Sequence, residues 1–238
     1  MPDAFVQAAA GKDFSVNSVG AVFGSNTTTG NVYACFVWWS NSTDTVTGVT
    51  DGTNVLLDSG LGIQRLNSAH SMQMFYSENI TGLTTPTVTA TFSGSPGIVD
   101  ISVMELSGRK TSGALGQKQW NTQNFAGTGT DFITSNAVVT TTDGEAICGG
   151  TEAQFNDVPT AGTNFTLRTS LVTGLYTETL TAGDQVSAGS IAATFTPAGN
   201  DGYITGIMTF KAAAGGGGGG TTIAGVGKRM VGVAYWQG

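Results

Sequence analysis

Charge is scarce in this chain. Of 238 residues only 11% are charged, with 9 Lys and Arg against 16 Asp and Glu, a formal net charge of −7. Nucleic-acid affinity rests on clustered cations that neutralise phosphates. The basic residues here are scattered and adjacent only at Arg109-Lys110 and Lys228-Arg229, so no nucleic-acid partner is expected. Histidine is nearly absent. His70, in "LNSAHSMQMF", is the only one, and no G-x-S-x-G elbow occurs anywhere that it could serve. It reads as a turn or strand-edge residue. Cysteine is limited to Cys35 and Cys148, both in apolar contexts ("VYACFVWW", "EAICGG") and without metal-ligand spacing; they read as buried free thiols, with a disulfide across two sheets as the alternative. No apolar run reaches the roughly 18 residues of a membrane span. The opening "MPDAFVQAAAGKDF" places an acid where a secretory leader carries basic residues, so no leader and no membrane association are expected. Helical periodicity is missing as well.

What remains is a strand-and-turn sequence. Apolar residues make up 39% of the chain, with 12 Phe, and 36 Gly punctuate it; that is too apolar for a disordered chain. "NVYACFVWW" is apolar on both faces, as in a central strand covered on both sides. "SMQMFY" puts Met72, Met74 and Tyr76 on one face. "TPTVTATF" alternates Val88, Ala90 and Phe92 inward with Thr87, Thr89 and Thr91 outward, and "GIVDISVMEL" aligns Val99, Ile101 and Val103. Further strand-length segments follow to "GYITGIMTFK", separated by turns such as "TDG" and "GND". The expected fold is all-β: a single antiparallel sandwich, jelly-roll or immunoglobulin-like, over residues 1–211. Residues 107–131 lack alternation and read as a long crossover between the sheets of one sandwich, the alternative being a linker between two small sandwiches. Neither half of the chain shows a copy of the other.

The search for chemistry returns little. Glu78, Asp100, Glu105, Glu145, Glu152 and Glu178 could supply a glycosidase pair, yet most fall at solvent-facing or strand-end positions. "AGVGKR" at residues 224–229 has Thr222 where a phosphate loop needs Gly and Arg229 where it needs Ser or Thr. "SNSTDT" and "EAQFNDVPTAG" offer oxygen ligands for calcium, but turn formation by Asn and Asp explains them. No cofactor or metal is expected. Trp38 and Trp39, being adjacent in a strand, point to opposite faces; Trp120, in the irregular stretch, is the candidate for an exposed, glycan-stacking aromatic.

The order "VGAVFGSNTTTGN", "VTGVTDGTNV", "FYSENITGLTTPTVTATFSG" with "ISVMELSG", then "FTLRTS" and "GYITGIMTFKA" resembles a β-sandwich module frequent in bacterial, environmental and phage-encoded proteins. The resemblance spans about residues 4–212. It implies a structural or adhesive role rather than catalysis, in virion surface proteins such as capsid decorations or tail-type proteins.

The chain closes on "KAAAGGGGGGTTIAGVGKRMVGVAYWQG". Residues 212–222 read as a flexible linker, and the six-glycine run spans on the order of 13 Å. Residues 223–238 read as a docking peptide: Val231, Val233 and Tyr235 on one strand face, Met230 and Trp236 on the other, preceded by Lys228 and Arg229. Such a segment suits strand addition to a partner's sheet edge, with aromatic and Arg anchors. The expectation is a non-enzymatic virion surface component held by this arm, with other virion proteins or further copies of itself as partners in a multi-copy assembly. The alternative is an extracellular glycan- or receptor-binding adhesin module centred on Trp120.

Overall fold

The structure, a computed structural model, describes residues 4–66, 69–124, 133–152, 159–163, 165–171, 175–185, 187–196 and 202–214. Among these there is no helix. The strands run Phe5–Phe14 (β1), Ser18–Val22 (β2), Val32–Trp39 (β3), Val46–Thr50 (β4), Leu57–Asp58 (β5), Gln64–Leu66 (β6), His70–Ser77 (β7), Thr87–Phe92 (β8) and Ile98–Leu106 (β9). The second half adds Leu115–Asn124 (β10), Ile133–Thr134 (β11), Val138–Val139 (β12), Glu145–Glu152 (β13), Thr160–Ala161 (β14), Phe165–Ser170 (β15), Leu175–Gln185 (β16), Ser190–Ile191 (β17), Thr194–Thr196 (β18) and Gly202–Phe210 (β19).

The pairing is nested. In the first half β1 pairs β9, β2 pairs β8 and β3 pairs β7, all antiparallel. Such nesting is what results when a long antiparallel ribbon is rolled up, so the chain is a jelly roll rather than an immunoglobulin-like sandwich. The second half does the same, with β10 on β19, β11 on β18, β12 on β17 and β13 on β16. The large sheets have equivalent orders, β1-β9-β3-β7-β5 and β10-β19-β13-β16-β15, and the small sheets β2-β8-β4 and β11-β18-β14 also correspond. The expected sandwich is therefore present, and it occurs twice. The repeat that the sequence does not display is explicit in the topology.

Three cores hold four layers together. Val19, Ala21, Val88 and Ala90 of one small sheet pack on Tyr33, Cys35, Val37, Trp39, Ile101 and Val103 of the first large sheet. Ile133, Val138 and Phe195 pack likewise on Ile147, Tyr203 and Ile207 of the second. Between the two large sheets lies the third core, where Val32, Ala34, Phe36, Met74, Met104 and Leu106 meet Trp120, Cys148, Ile204, Met208 and Phe210. β3 is thus covered on both faces, and all eight of its residues are buried, which is why it reads as uninterruptedly apolar. The shared core makes the body one packed unit.

The large sheets stack with their strand orders reversed: β1 lies over β15 and β6 over β10, β9 over β16 and β7 over β19, β3 over β13. That reciprocity defines an approximate two-fold axis running along the strands between β3 and β13, as in an isologous dimer made from one chain. Phe36 and Gly150 occupy equivalent places beside that axis, pairing Ser102 and Gly206 respectively. A Cβ built on Gly150 would lie 2.4 Å from Phe36 Cδ1. Two large residues would collide there and two glycines would leave a void, so the halves differ where they touch.

Trp120 corrects an expectation. Residues 115–124 are not crossover but the first strand of the second repeat, and Trp120 is only 6% exposed. Its ring lies over Gly206, where an added Cβ would meet Trp120 Cζ3 at 2.5 Å. β10 lies at the edge of its sheet, and edge strands carry polar residues that blur the alternation. Trp38 and Trp39 do point to opposite faces, but both are buried.

Candidate functional site: the root of the C-terminal arm

β9 and β19 are equivalent final strands and end at the same pole of the molecule. β9 leads into residues 107–114, the connection between repeats; β19 leads into residues 211–214, the start of the arm. The two segments bind each other. Lys110 N donates to Lys211 O (3.0 Å), Lys211 N to Ala114 O (2.8 Å) and Ala213 N to Gly108 O (2.9 Å), with an isolated bridge between Arg109 and Ala212. Ser107 N donates to Ala4 O at 2.7 Å, so the first described residue is tied to the same pole. Glu78 Oε1 accepts from Ala114 N at 3.0 Å and fixes the other end of the connection.

Arg109 is the centre of this root. Its side chain is buried, and its guanidinium donates from Nε to Ser107 O (2.9 Å) and from Nη1 to Gly144 O (2.6 Å) and Phe210 O (3.3 Å). Carbonyls from the connection, a second-repeat turn and the end of β19 thus converge on one cation, which is how a buried charge is tolerated. The sequence singles out Arg109-Lys110 only as a basic pair. An Arg in a Gly- and Ser-rich stretch between strands is the one signal that points to such a clamp. Residues 212 and 213, expected in the flexible linker, are part of this paired root. An open, shallow depression beside it is lined by Arg109, Lys110, Thr111, Ser112, Ala213 and Ala214. A second, at the same pole, is lined by Asn26, Thr27, Thr28, Thr29, Gly82, Leu83 and Thr84.

The docking-peptide residues Lys228, Arg229, Met230, Val231, Val233, Tyr235 and Trp236 lie outside the described residues. Trp120, as shown above, is core and presents no stacking face.

The carboxylates expected at solvent-facing or strand-end positions are mostly interior: Asp100, Glu105, Glu145 and Glu152 are fully buried. Alternation hides them, because on strands covered on both faces a polar residue in an outward phase still points into protein. Glu105 accepts from Gln7 Nε2 (2.7 Å), Thr28 N (2.8 Å) and Asn31 Nδ2 (2.6 Å). Glu145 accepts from Thr209 Oγ1 (2.5 Å), Thr141 N (3.1 Å) and Thr142 N (3.2 Å). Burial pushes the Glu145 carboxyl up, but these donors outweigh it and hold the group below its ordinary range. Both carboxylates are engaged in pinning loops to strand ends. Glu178 lies on β16, and its side chain is outside what is described.

His70 is not at an exposed edge. It opens β7, is buried, stacks on Trp38 at 5.5 Å, and places Nδ1 3.0 Å from Glu152 Oε1 across the repeat interface. Ser71, its neighbour, donates instead to Asn41 O at 2.6 Å. In the "SNSTDT" loop Asn41 Oδ1 accepts from Thr43 N and Asp44 N, which is turn chemistry. No group of three or more potential metal ligands occurs among the described residues. Cys35 and Cys148 are buried in different cores and are not joined to each other, and burial drives the Cys35 thiol well above its ordinary pKa, which disfavours the reactive thiolate.

No protein-family model matches the chain, and neither the curated proteins nor the solved structures yield a match.

Proposed function

We propose that this is a non-enzymatic structural protein of a virion surface, a capsid decoration or similar component, held to its assembly by the C-terminal arm. The observation that carries the reading is the arm root. The chain is fixed by paired backbone through Ala213 and by the buried Arg109, and immediately afterwards enters six glycines followed by a strand-prone, cationic, aromatic peptide. A paired root, a glycine run and an apolar, cationic end have the order of a tether. The resemblance of the body to sandwich modules of phage-encoded proteins supports the same class, as does a surface dominated by hydroxyls, with Thr87 and Thr91 of β8 exposed.

The test is to remove residues 215–238 and measure co-sedimentation with the purified particle or native assembly. Loss of association by a body that keeps its far-UV circular dichroism supports the tether. Association that survives the deletion moves the interface to the body and ends this reading. The glycan-binding alternative loses its principal residue with the burial of Trp120.

A further inference from the structure

Two of the nine basic residues and none of the sixteen acidic ones lie beyond residue 214. The arm is therefore +2, and residues 1–214 hold seven basic against sixteen acidic residues, net −9. A cationic arm and an acidic body attract each other. Twenty-four residues leave the body at Ala214, and 18 of them follow the glycines. They need a surface with an open strand edge, exposed aliphatic side chains and acid nearby.

One described segment combines these. Residues 55–58 pass from the edge of one sheet to the edge of another: Leu56 N donates to Val49 O on β4 at 2.9 Å, and Leu57 and Asp58 pair Tyr76 and Phe75 of β7. Leu56 is buried, while Val55 is 65% and Leu57 57% exposed, among the most exposed large aliphatic residues described. Asp51 and Asp58 flank them. The Asp51 carboxylate holds its turn, accepting from Asn54 N at 2.6 Å, and Asp58 accepts from Gly60 N at 2.5 Å. Lys118 Nζ stands beside Gly60 beyond Asp58, so the acidic character is stronger at the Asp51 end. Among the other exposed large apolar residues described, Phe14 has Lys12 over its ring and Val22 lies in the Thr-lined sheet.

We propose that the arm of one copy docks on residues 51–58 of a second copy, adding a strand along the β5 edge, with Val231 and Val233 against Val55 and Leu57 and Lys228 and Arg229 toward the acidic end. This rests on the tether reading and names its partner. Edge addition supplies main-chain hydrogen bonds, and the side chains set specificity. It also covers an exposed apolar edge that would otherwise invite aggregation.

The test uses the full chain. Sedimentation velocity over a concentration series compares the wild type with Val55→Glu/Leu57→Glu and with Lys228→Glu/Arg229→Glu. Both sites are exposed or lie in the arm, so folding is retained, which circular dichroism verifies. The expected result is concentration-dependent association whose Kd rises at least tenfold in either double variant. Unchanged association in Val55→Glu/Leu57→Glu overturns the proposal. A Leu57→Cys/Val233→Cys variant, oxidised, is expected to give covalent dimers and higher species on a non-reducing gel, the native cysteines being buried. A linked monomer, meaning that the arm folds back on its own body, also overturns it. If neither body substitution affects self-association but deletion of the arm still releases the protein from its native assembly, the tether reading stands and only this partner fails.

Discussion

Glu105 and Glu145 hold opposite ends of the same buried hydrogen bond in the two repeats. Register makes Asn31 equivalent to Glu145 and Glu105 equivalent to Thr209, since Val32 pairs Leu106 as Ala146 pairs Phe210. In the first repeat Asn31 Nδ2 donates to Glu105; in the second Thr209 Oγ1 donates to Glu145. Each carboxylate also accepts backbone N–H from the loop before β3 or its equivalent β13, Glu105 from Thr28 and Glu145 from Thr141 and Thr142. The bond is kept while the charge has changed sides, because the loop needs an anion at either end of it to satisfy its donors.

Stability near Glu145 will depend on pH with a definite sign. The folded carboxyl titrates below its ordinary value of 4.5, so its contribution is complete above the unfolded pKa and is lost as pH falls through the folded one. Glu145→Gln is expected to cost about 1.5–3 kcal/mol at pH 7, the range for hydrogen bonds to charged groups. Urea unfolding across pH should show the difference from wild type shrinking below pH 4.5. A difference that is constant from pH 7 to 3 would contradict a charge-based role.

The equivalence itself can be tested by moving the acid. Glu145→Asn and Thr209→Glu each break the bond alone, whereas the double variant recreates the first repeat's arrangement. The double is expected to be less destabilised than the sum of the singles, a favourable coupling of the kind seen between contacting residues. Simple additivity in a double-mutant cycle would deny the equivalence.

Phe36 and Gly150 make a second asymmetric pair at the axis. Gly150→Ala places a methyl 2.4 Å from the Phe36 ring, and overpacking of this kind costs about 1–3 kcal/mol. Phe36→Ala opens a cavity instead, at about 3–5 kcal/mol. In the Phe36→Ala background the Gly150→Ala penalty should vanish, because the clash has gone. Chemical denaturation of the four proteins checks this; an unchanged penalty would mean that Gly150 is required for another reason.

How much of this was legible in the sequence follows from what each strand covers. Alternation in "TPTVTATF" gives the inward and outward faces correctly because one face is solvated. β9 misleads: Val99, Ile101 and Val103 stand out, but Asp100, Ser102 and Met104 on the other face are equally buried, and nothing local reveals that a second large sheet lies there. The duplication is invisible because equivalent residues were chosen to complement rather than match: Phe36 with Gly150, Asn31 with Glu145, Glu105 with Thr209. In β9 and β19 the match survives at Met104 and Met208 alone. The arm root is hidden for a similar reason, since Arg109 acts through carbonyls, and any sequence supplies those.

Trp120 separates core from recognition surface. Trp120→Ala is expected to destabilise by about 3–5 kcal/mol, as for large aromatic truncations. Trp120→Phe should cost far less, since the indole Nε1 has no hydrogen-bond acceptor among the described residues. Thermal unfolding measures both. An exposed glycan platform would give near-neutral stability for either change and would lose binding with both.

The shared core predicts that the two repeats unfold together. Phe36, Met74 and Met104 of the first repeat pack on Trp120, Ile204 and Met208 of the second, and His70 meets Glu152 across the same boundary. Separating the repeats would expose that whole apolar face of both large sheets, so neither half is stable while the other is unfolded. Calorimetry should give a single transition with equal calorimetric and van't Hoff enthalpies. His70→Ala, which removes the buried imidazole that meets Glu152 across the interface and stacks on Trp38, should lower the transition temperature while keeping one transition. Two resolved transitions in the wild type would mean that the interface between the large sheets is too weak to couple the repeats, and that each jelly roll stands on its own core.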